Sequence, residues 1–151
     1  MGDSYERAYY KLRSFELDMK FSTRTTYGLR AMIKLAKNWE KGSLSLPSIA
    51  RAEGLSRGYL EKLFSQLKRQ NLVISVKGTK GGYKLAHDPN KITVYQIIKA
   101  LEKDISPFHC LDDDGKVYCA KGCDCGALIV LNKVQQAINK AMKNIKLSNL
   151  V

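Results

Sequence analysis

The chain has 151 residues, a length that suits one domain with an appended helical arm. Hydrophobic residues make up 44% and charged residues 26%, so a globular protein with a buried core is expected. The net charge of +12 is concentrated in residues 20–85, where 14 basic and 3 acidic side chains contribute +11. Such a block is typical of a surface that binds nucleic-acid phosphates, the alternative being a lysine-rich face that serves solubility only.

Several classes of protein are disfavoured by the same sequence. No apolar run approaches the ~20 residues of a membrane span, and the first eighteen residues lack the apolar stretch of a signal peptide. A cytoplasmic protein without membrane contact is therefore expected, with its four cysteines reduced. No combination of His, Asp and Ser and no paired carboxylates suggest catalysis, so we expect neither an enzyme nor a small-molecule substrate.

The basic block begins with three predicted helices. Apolar residues at helical spacing predict the first over Thr23–Trp39, a short second over Leu46–Glu53 and a third over Arg57–Gln70. Gly54 ends the second helix, and Ser56 is a suitable N-cap for the third. A short helix, a glycine-containing turn and a longer helix predict a helix-turn-helix, whose second helix enters the DNA major groove.

A β-hairpin is predicted directly after the third helix. Leu72–Val76 and Tyr83–Ala86 have strand composition, and Lys77–Gly82 between them mixes lysines with glycines that can approach a phosphate backbone. The alternative is a nucleotide phosphate loop, but no Gly-Lys-Ser/Thr sequence opens a helix here. A hairpin that follows a recognition helix is a wing.

The third segment differs in character. A helix is predicted over Thr93–Leu101, after which residues 102–125 are irregular and acidic. Asp112–Gly115 within this stretch is expected to be a solvated turn, because no Ca²⁺-loop pattern surrounds it. The stretch also holds every cysteine of the chain, namely Cys110, Cys119, Cys123 and Cys125.

A long C-terminal helix is predicted from Gly126 to about Leu147. Its apolar residues are expected to form one stripe, which consists of Leu128, Leu131, Val134, Ile138, Ala141, Met142 and Ile145. A stripe of this length on a C-terminal arm is best covered by the same helix of a second subunit, giving a homodimer. The alternative is that the helix folds back onto its own domain.

The sequence resembles a family of bacterial transcription regulators. The matching segments are Met19–Met32 (MKFSTRTTYGLRAM), Leu55–Leu63 (LSRGYLEKL), Gly78–Tyr83 (GTKGGY) and the cysteine-rich stretch. The family is typified by the iron–sulfur cluster regulator IscR, the nitric-oxide sensor NsrR and the cysteine-metabolism repressor CymR. The resemblance implies a mainly α fold with a small β-hairpin, a winged helix-turn-helix with a long C-terminal dimerisation helix. It also implies a homodimer that binds double-stranded promoter DNA.

The resemblance also suggests how the chain is divided. Residues 1–18 precede the usual family start at Met19 and are expected to be an N-terminal extension, either a cloning remnant or the product of an upstream start codon. Residues 19–90 would form the DNA-binding domain. Residues 91–151 would form a helix, the cysteine-rich loop and the dimerisation helix.

DNA contacts are expected at three places, namely the start of the third helix, the wing and the first helix. The family's recognition-helix contacts correspond to Arg57, Gly58, Tyr59 and Glu61, and the N-cap Ser56 directly before them is also expected to contact DNA. Arg57 can bind guanine and Glu61 can accept from a cytosine amino group, although Glu61 can instead form an i,i+4 pair with Arg57. The remaining expected contacts are the minor-groove position Lys77, the phosphate-binding side chains of Arg24 and Lys80, and the wing glycine Gly78.

The cysteines match the family's cluster ligands in part. The resemblance implies three ligands with five residues between the last two, as in Cys119 and Cys125, and Cys110 takes the first place. Cys123 is an additional thiol that can complete a [2Fe–2S] site, and His109 is a second candidate for the fourth ligand. The expected function is a regulator that senses iron–sulfur status or redox and nitric-oxide stress.

Other interpretations of the cysteine-rich stretch remain open. Structural zinc fits only the spacing of Cys119 and Cys123. A thiol switch needs no metal and can use thiols near basic residues. The alternative function is thus a metal-free regulator of cysteine metabolism, controlled by a thiol switch or by a partner enzyme.

Overall fold

The structure, a computed structural model, describes residues 21–117 and 125–151. Its main elements are α1 (Thr23–Lys37), α2 (Leu46–Glu53), α3 (Arg57–Arg69), β1 (Val73–Val76), β2 (Gly82–Leu85), α4 (Val94–Leu101) and α5 (Gly126–Asn144). Short 3-10 turns lie at Trp39–Lys41, Pro89–Lys91 and Leu147–Leu150. This order agrees with the predicted mainly α fold and its small hairpin. The interpretation of residues 1–18 as an extension falls outside the described residues.

Local signals position the helix starts. Ser56 accepts a hydrogen bond from the backbone N–H of Tyr59 at 3.2 Å, which confirms it as the N-cap of α3. Thr93 and Gln96 form a reciprocal capping box at the start of α4. Gly54 has φ +65, a left-handed conformation that ends α2 and lets the chain turn into α3.

The predicted wing forms. Ser43 and Leu44 brace it through hydrogen bonds that the sequence did not suggest. Strands β1 and β2 pair antiparallel, and Leu44 extends the sheet through two backbone hydrogen bonds with Tyr83, at 2.9 and 2.8 Å. A Cβ at Gly82 would overlap the Leu44 carbonyl, so glycine permits this close approach. The Ser43 hydroxyl donates to the Lys80 carbonyl at 2.7 Å, which ties the wing to the segment between α1 and α2.

The helices enclose one main apolar core with α4 at its centre. Helix α4 contacts α1, α3 and α5. The largest fully buried apolar side chains of this core are Phe64, Met32, Ile49, Leu60, Leu63, Leu67, Leu85, Ile92, Ile97, Leu101 and Leu147. A smaller cluster of Val94, Ile98, Ile105 and Met142 joins α4 to α5 and to the segment between them.

Helix α5 ends earlier than predicted. It stops at Asn144, because the chain then becomes extended and pairs with the residues before α4. The N–H of Val94 donates to the Ile145 carbonyl at 2.9 Å, and that of Leu147 donates to the Ile92 carbonyl at 2.8 Å. Leu147 is fully buried, so the C-terminal segment belongs to the main apolar core formed with α1, α2 and α3.

The predicted apolar stripe of α5 is only partly covered by the chain itself. Met142 is buried and Leu128, Leu131 and Ile138 are half-buried, whereas Val134, Ala141 and Ile145 are exposed. The buried face includes the polar residues Gln135 and Asn139, which a search for apolar residues passes over. One part of the stripe thus packs against the chain's own domain, and the adjoining part lies in solvent.

Replacement of Gly28 by alanine is expected to destabilise the protein. A Cβ at Gly28 would overlap Cδ1 of Leu101, which is 1% exposed and cannot move freely. Overpacking costs about 1–3 kcal/mol, more than the ~1 kcal/mol gained in helix propensity. Gly58→Ala is the matched control, because no atom lies within 4 Å of its new Cβ. Urea unfolding should show a loss for Gly28→Ala and none for Gly58→Ala; equal stability of the two would refute the close α1–α4 packing.

Candidate nucleic-acid interface and cysteine segment

The first turns of α3 present charged side chains to solvent. Arg57 and Glu61 are 68% and 49% exposed and form an i,i+4 pair, with Arg57 Nε 2.9 Å from Glu61 Oε1. Gly58 between them is exposed and leaves space for an approaching backbone. An exposed helical pair of this kind stabilises by about 0.3–0.5 kcal/mol, so a stronger partner can open it.

Tyr59 is placed differently from the other expected recognition-helix contacts. It is half-buried, and its ring meets that of Tyr27 edge-on at 6.2 Å between centroids. Its hydroxyl is buried and has no hydrogen-bond partner among the described residues. The side chain thus packs α3 against α1 and sets the orientation of the recognition helix.

The tip of the wing carries the expected basic residues in exposed positions. Lys77, Gly78 and Lys80 are all exposed. Gly78 has φ +110, and its carbonyl accepts from the N–H of Gly81 at 2.9 Å, which closes the turn. The two lysines therefore project from a turn whose backbone is fixed.

Arg24 lies in the first turn of α1 and is paired with a carboxylate that the sequence analysis missed. Its Nη2 lies 3.2 Å from Glu102 Oε2, and its Nε donates to Ser22 Oγ at 3.3 Å. Glu102 Oε1 also accepts from the Ser22 N–H at 3.2 Å, from the Ser22 hydroxyl and from the Thr25 hydroxyl at 2.5 Å. In the sequence Glu102 is a lone glutamate after a helix, a position that gives no sign of such contacts.

The electrostatics of this group follow from its contacts. Partial burial alone would raise the pKa of Glu102, but the hydrogen bonds from Ser22 and Thr25 and the charge of Arg24 outweigh it and hold that pKa below its usual range. Glu102 is therefore an anion at neutral pH, and it neutralises Arg24.

Two of the four cysteines lie within the described residues. Cys110 is half-buried and Cys125 is exposed at the N-cap of α5, and neither forms a disulfide. Cys119 and Cys123 lie outside the described residues. Over residues 21–117 and 125–151, no three His, Cys, Asp or Glu side chains are grouped as a metal ion requires. His109 is exposed and borders an open cavity of about 420 Å³.

Asp113 anchors the described part of the cysteine segment. Its carboxylate accepts from the N–H groups of Ile105 and Ser106 at 2.7 and 3.2 Å and lies 3.7 Å from Lys99 Nζ. Its carbonyl accepts from Asn139 Nδ2 on α5 at 2.7 Å. Burial raises the pKa of Asp113, and the neighbouring Asp104 carboxyl adds to the rise. The prediction of a solvated turn over Asp112–Gly115 is therefore wrong for Asp113, which links α4 to α5.

The fold and the exposed residues together define a class of protein. A helix-turn-helix with a charged, exposed recognition helix is followed directly by a braced hairpin whose tip carries lysines. This is the arrangement of a winged-helix DNA-binding protein. No helix within the described ranges is long and apolar enough to cross a membrane.

Comparison with known proteins assigns the family. Residues 21–151 match the Rrf2 family model, described as an iron-dependent transcriptional regulator, and the chain belongs to the Rrf2 family of DNA-binding transcription regulators. It is 48% identical over 96 residues to the transcriptional regulator CymR of Bacillus subtilis, covering 64% of this chain and 70% of that protein. It is 33% identical over 133 residues to IscR of Klebsiella pneumoniae, covering 88% and 80%.

Solved structures agree with the sequence comparisons. The structure of CymR, the global cysteine regulator of B. subtilis, aligns with a TM-score of 0.74 at 35% identity, covering 87% of this chain and 95% of that one. IscR of T. potens aligns with a TM-score of 0.70 at 36% identity, covering 87% and 85%. The predicted winged-helix fold and family are confirmed, and these relatives are transcription regulators rather than enzymes.

Proposed function

We propose that the chain acts as a homodimer on palindromic promoter DNA and that its affinity for DNA responds to the state of the cysteine segment, residues 102–125. The observation that carries the proposal is the position of this segment. It begins at the end of α4, which packs against the DNA-binding helices α1 and α3, and it ends at the start of α5. A ligand or oxidant at the cysteines would therefore act between the recognition helix and α5.

The DNA contacts of this proposal are assigned from exposure and charge. Arg57 and Glu61 at the start of α3 would read base edges, since the first turns of a recognition helix enter the major groove. Lys77 would enter the minor groove, with Gly78 allowing a close approach. Lys80, Arg24 and the α3 N-cap region at Ser56 would bind phosphates.

The dimer is assigned to the solvent-facing side of α5. Exposed apolar residues recur there at alternating spacings of three and four, the pattern of a coiled-coil seam, and consist of Ala127, Val130, Val134, Ala137 and Ala141. Val130 is 60% exposed. A second copy of the same helix would cover this row and place two recognition helices on two half-sites.

A [2Fe–2S] cluster is the proposed sensor. Cys110 and Cys125 are free thiols, and thiolates are the donors that such clusters take, so the chemistry of these two side chains suits the group. Cys110, Cys119 and Cys125 would hold it, with Cys123 or His109 as fourth ligand. When bound, the cluster supplies a redox-active centre that is sensitive to iron supply, oxidants and nitric oxide. The family description as an iron-dependent regulator and the similarity to IscR support this choice.

A metal-free thiol regulator is the second candidate function. The similarity to CymR, whose structure is described as that of a global cysteine regulator, favours it. In that case the cysteines would act as a thiol switch, or a partner enzyme would control binding.

Substitutions in α3 and in the wing should affect DNA sequence specificity and overall DNA affinity differently. We expect Arg57→Ala and Glu61→Ala to change the preferred base, at about 1–3 kcal/mol per lost base contact. Lys80→Ala should weaken all duplexes about equally and reduce the salt dependence. Fluorescence anisotropy against a panel of operator variants over a salt series measures both effects. A uniform loss in all three variants would contradict the assignment of α3.

Charge placed in the seam of α5 should separate the subunits. We expect Val130→Glu or Val134→Glu to yield monomers in sedimentation experiments and to weaken binding to a palindromic operator, because only one half-site is then held at a time. Gln136→Glu adds the same charge at an exposed position outside the seam and should leave the dimer intact. A seam variant that sediments as the wild type would rule out this interface.

Protein purified without oxygen should be coloured and contain iron. Alanine at Cys110, Cys119 or Cys125 is expected to abolish the visible absorption. Cys123→Ala should abolish it if four thiolates bind the cluster, and should only shift it if His109 or another ligand substitutes. Colourless protein with stoichiometric zinc would overturn the cluster and leave DNA binding standing. Colourless metal-free protein whose DNA binding changes reversibly with an oxidant would support the thiol switch.

A further inference from the structure

The start of α1 is held by a carboxylate from a distant part of the chain. Ser22 is the N-cap of α1, yet its side chain makes no capping hydrogen bond to the helix, and no acidic residue lies in the first turn. Instead the Ser22 hydroxyl and the Ser22 N–H both donate to Glu102, eighty residues away. Glu102 thus supplies the negative charge that a helix N-terminus favours.

The same carboxylate forms an ion pair with the Arg24 guanidinium. The guanidinium uses Nη2 for Glu102 and Nε for Ser22, while the Glu102 side chain is only 11% exposed. A charge-assisted pair that is partly shielded from water is stronger than an exposed one, such as that of Arg57 and Glu61. Arg24 therefore lies on the DNA-binding part of the chain with its charge already compensated.

We propose that Glu102 sets the affinity for DNA by masking Arg24, so that release of Glu102 makes one more cation available to a phosphate. The inference rests on the proposed function, in which Arg24 is a phosphate contact. Glu102 is a positioning residue in this scheme, since it acts through Arg24 and does not itself touch DNA.

Glu102 also lies where the cysteine segment can move it. It is the C-cap of α4, with its N–H donating to the Ile98 carbonyl at 2.9 Å, and it is the first residue of that segment. Three residues later, Ile105 is buried against α4 and α5, and its N–H is held by Asp113. A rearrangement of the segment that shifts Ile105 is therefore transmitted to Glu102 over a short stretch of chain, and from Glu102 to Arg24.

The test is Glu102→Gln in the full-length protein on a duplex that the wild type binds. The amide can still accept from Ser22 and Thr25 but no longer neutralises Arg24. One additional phosphate contact makes the slope of log affinity against log salt more negative by about 0.9, which corresponds to an affinity gain of roughly tenfold at ~0.1 M salt. Glu40→Gln, which removes the same charge from an exposed position in the Trp39–Lys41 turn, should leave the slope unchanged.

Arg24 provides the decisive comparison. In an Arg24→Gln background, Glu102→Gln should no longer change the slope, because the cation that it unmasks is absent. A purely structural role would lower the melting temperature and affect binding equally in both backgrounds. An unchanged slope for Glu102→Gln, or the same change with and without Arg24, overturns the inference.

Two further results have their own interpretation, namely a variant that unfolds and a wild type that does not bind DNA. If Glu102→Gln melts below the assay temperature, Glu102→Asp replaces it. This variant keeps the charge near Ser22 and shortens its reach towards Arg24, so a steeper slope is again expected and a wild-type slope refutes masking. If the wild type binds no duplex, the proposed function is wrong. If the wild type binds and the variant binds with the same affinity and salt slope, only the proposed role of Glu102 is wrong.

Discussion

The packing of α4 against α1 is the contact on which the rest of the structure depends. Leu101 is almost fully buried against Gly28, where any larger residue would overlap it. On one side α4 contacts α1 and α3, which carry the proposed DNA-binding residues, and on the other it contacts α5. Because protein interiors are close-packed, a displacement of α4 cannot be absorbed locally and must be shared by these helices. The recognition helix and the cysteine segment thus rest on one rigid element.

Polar contacts at the end of α4 link the same helices at defined points. Glu102 joins the end of α4 to the start of α1, and Asp113 joins the segment that follows to both Lys99 and Asn139. The contacts with Arg24 and Lys99 are made by partly buried carboxylates, and the loss of one partner there would leave an uncompensated charge, whereas Asn139 donates to the Asp113 backbone carbonyl. Coupling energies between sites are typically ~1–3 kcal/mol, a size that one or two of these contacts can supply.

Local signals made most of the fold predictable from the sequence, and long-range contacts made the remainder unpredictable. The bounds of α2 were predicted residue for residue, because Gly54 ends that helix whatever surrounds it. The predicted end of α5 was wrong, because the segment Ile145–Leu147 pairs with residues some fifty positions earlier. The positions of Arg57, Glu61 and Lys80 as exposed candidate DNA contacts followed from motif and charge. Glu102 did not, because its partners Ser22, Arg24 and Thr25 are adjacent to it only in the folded chain.

The buried polar residues Gln135 and Asn139 determine how α5 is oriented on its domain. Gln135 Nε2 donates to Asn139 Oδ1 at 3.1 Å, and Asn139 donates in turn to the Asp113 carbonyl. These two hydrogen bonds are costly to lose in a buried site, so they fix the rotation of α5 on its domain, although Gln135 Oε1 itself has no partner among the described residues. The adjoining exposed side of α5 is apolar, and its direction is therefore set by the same polar contacts. In the proposed dimer, a change in the segment that moves Asp113 would rotate this face, and the distance between the two recognition helices would change with it.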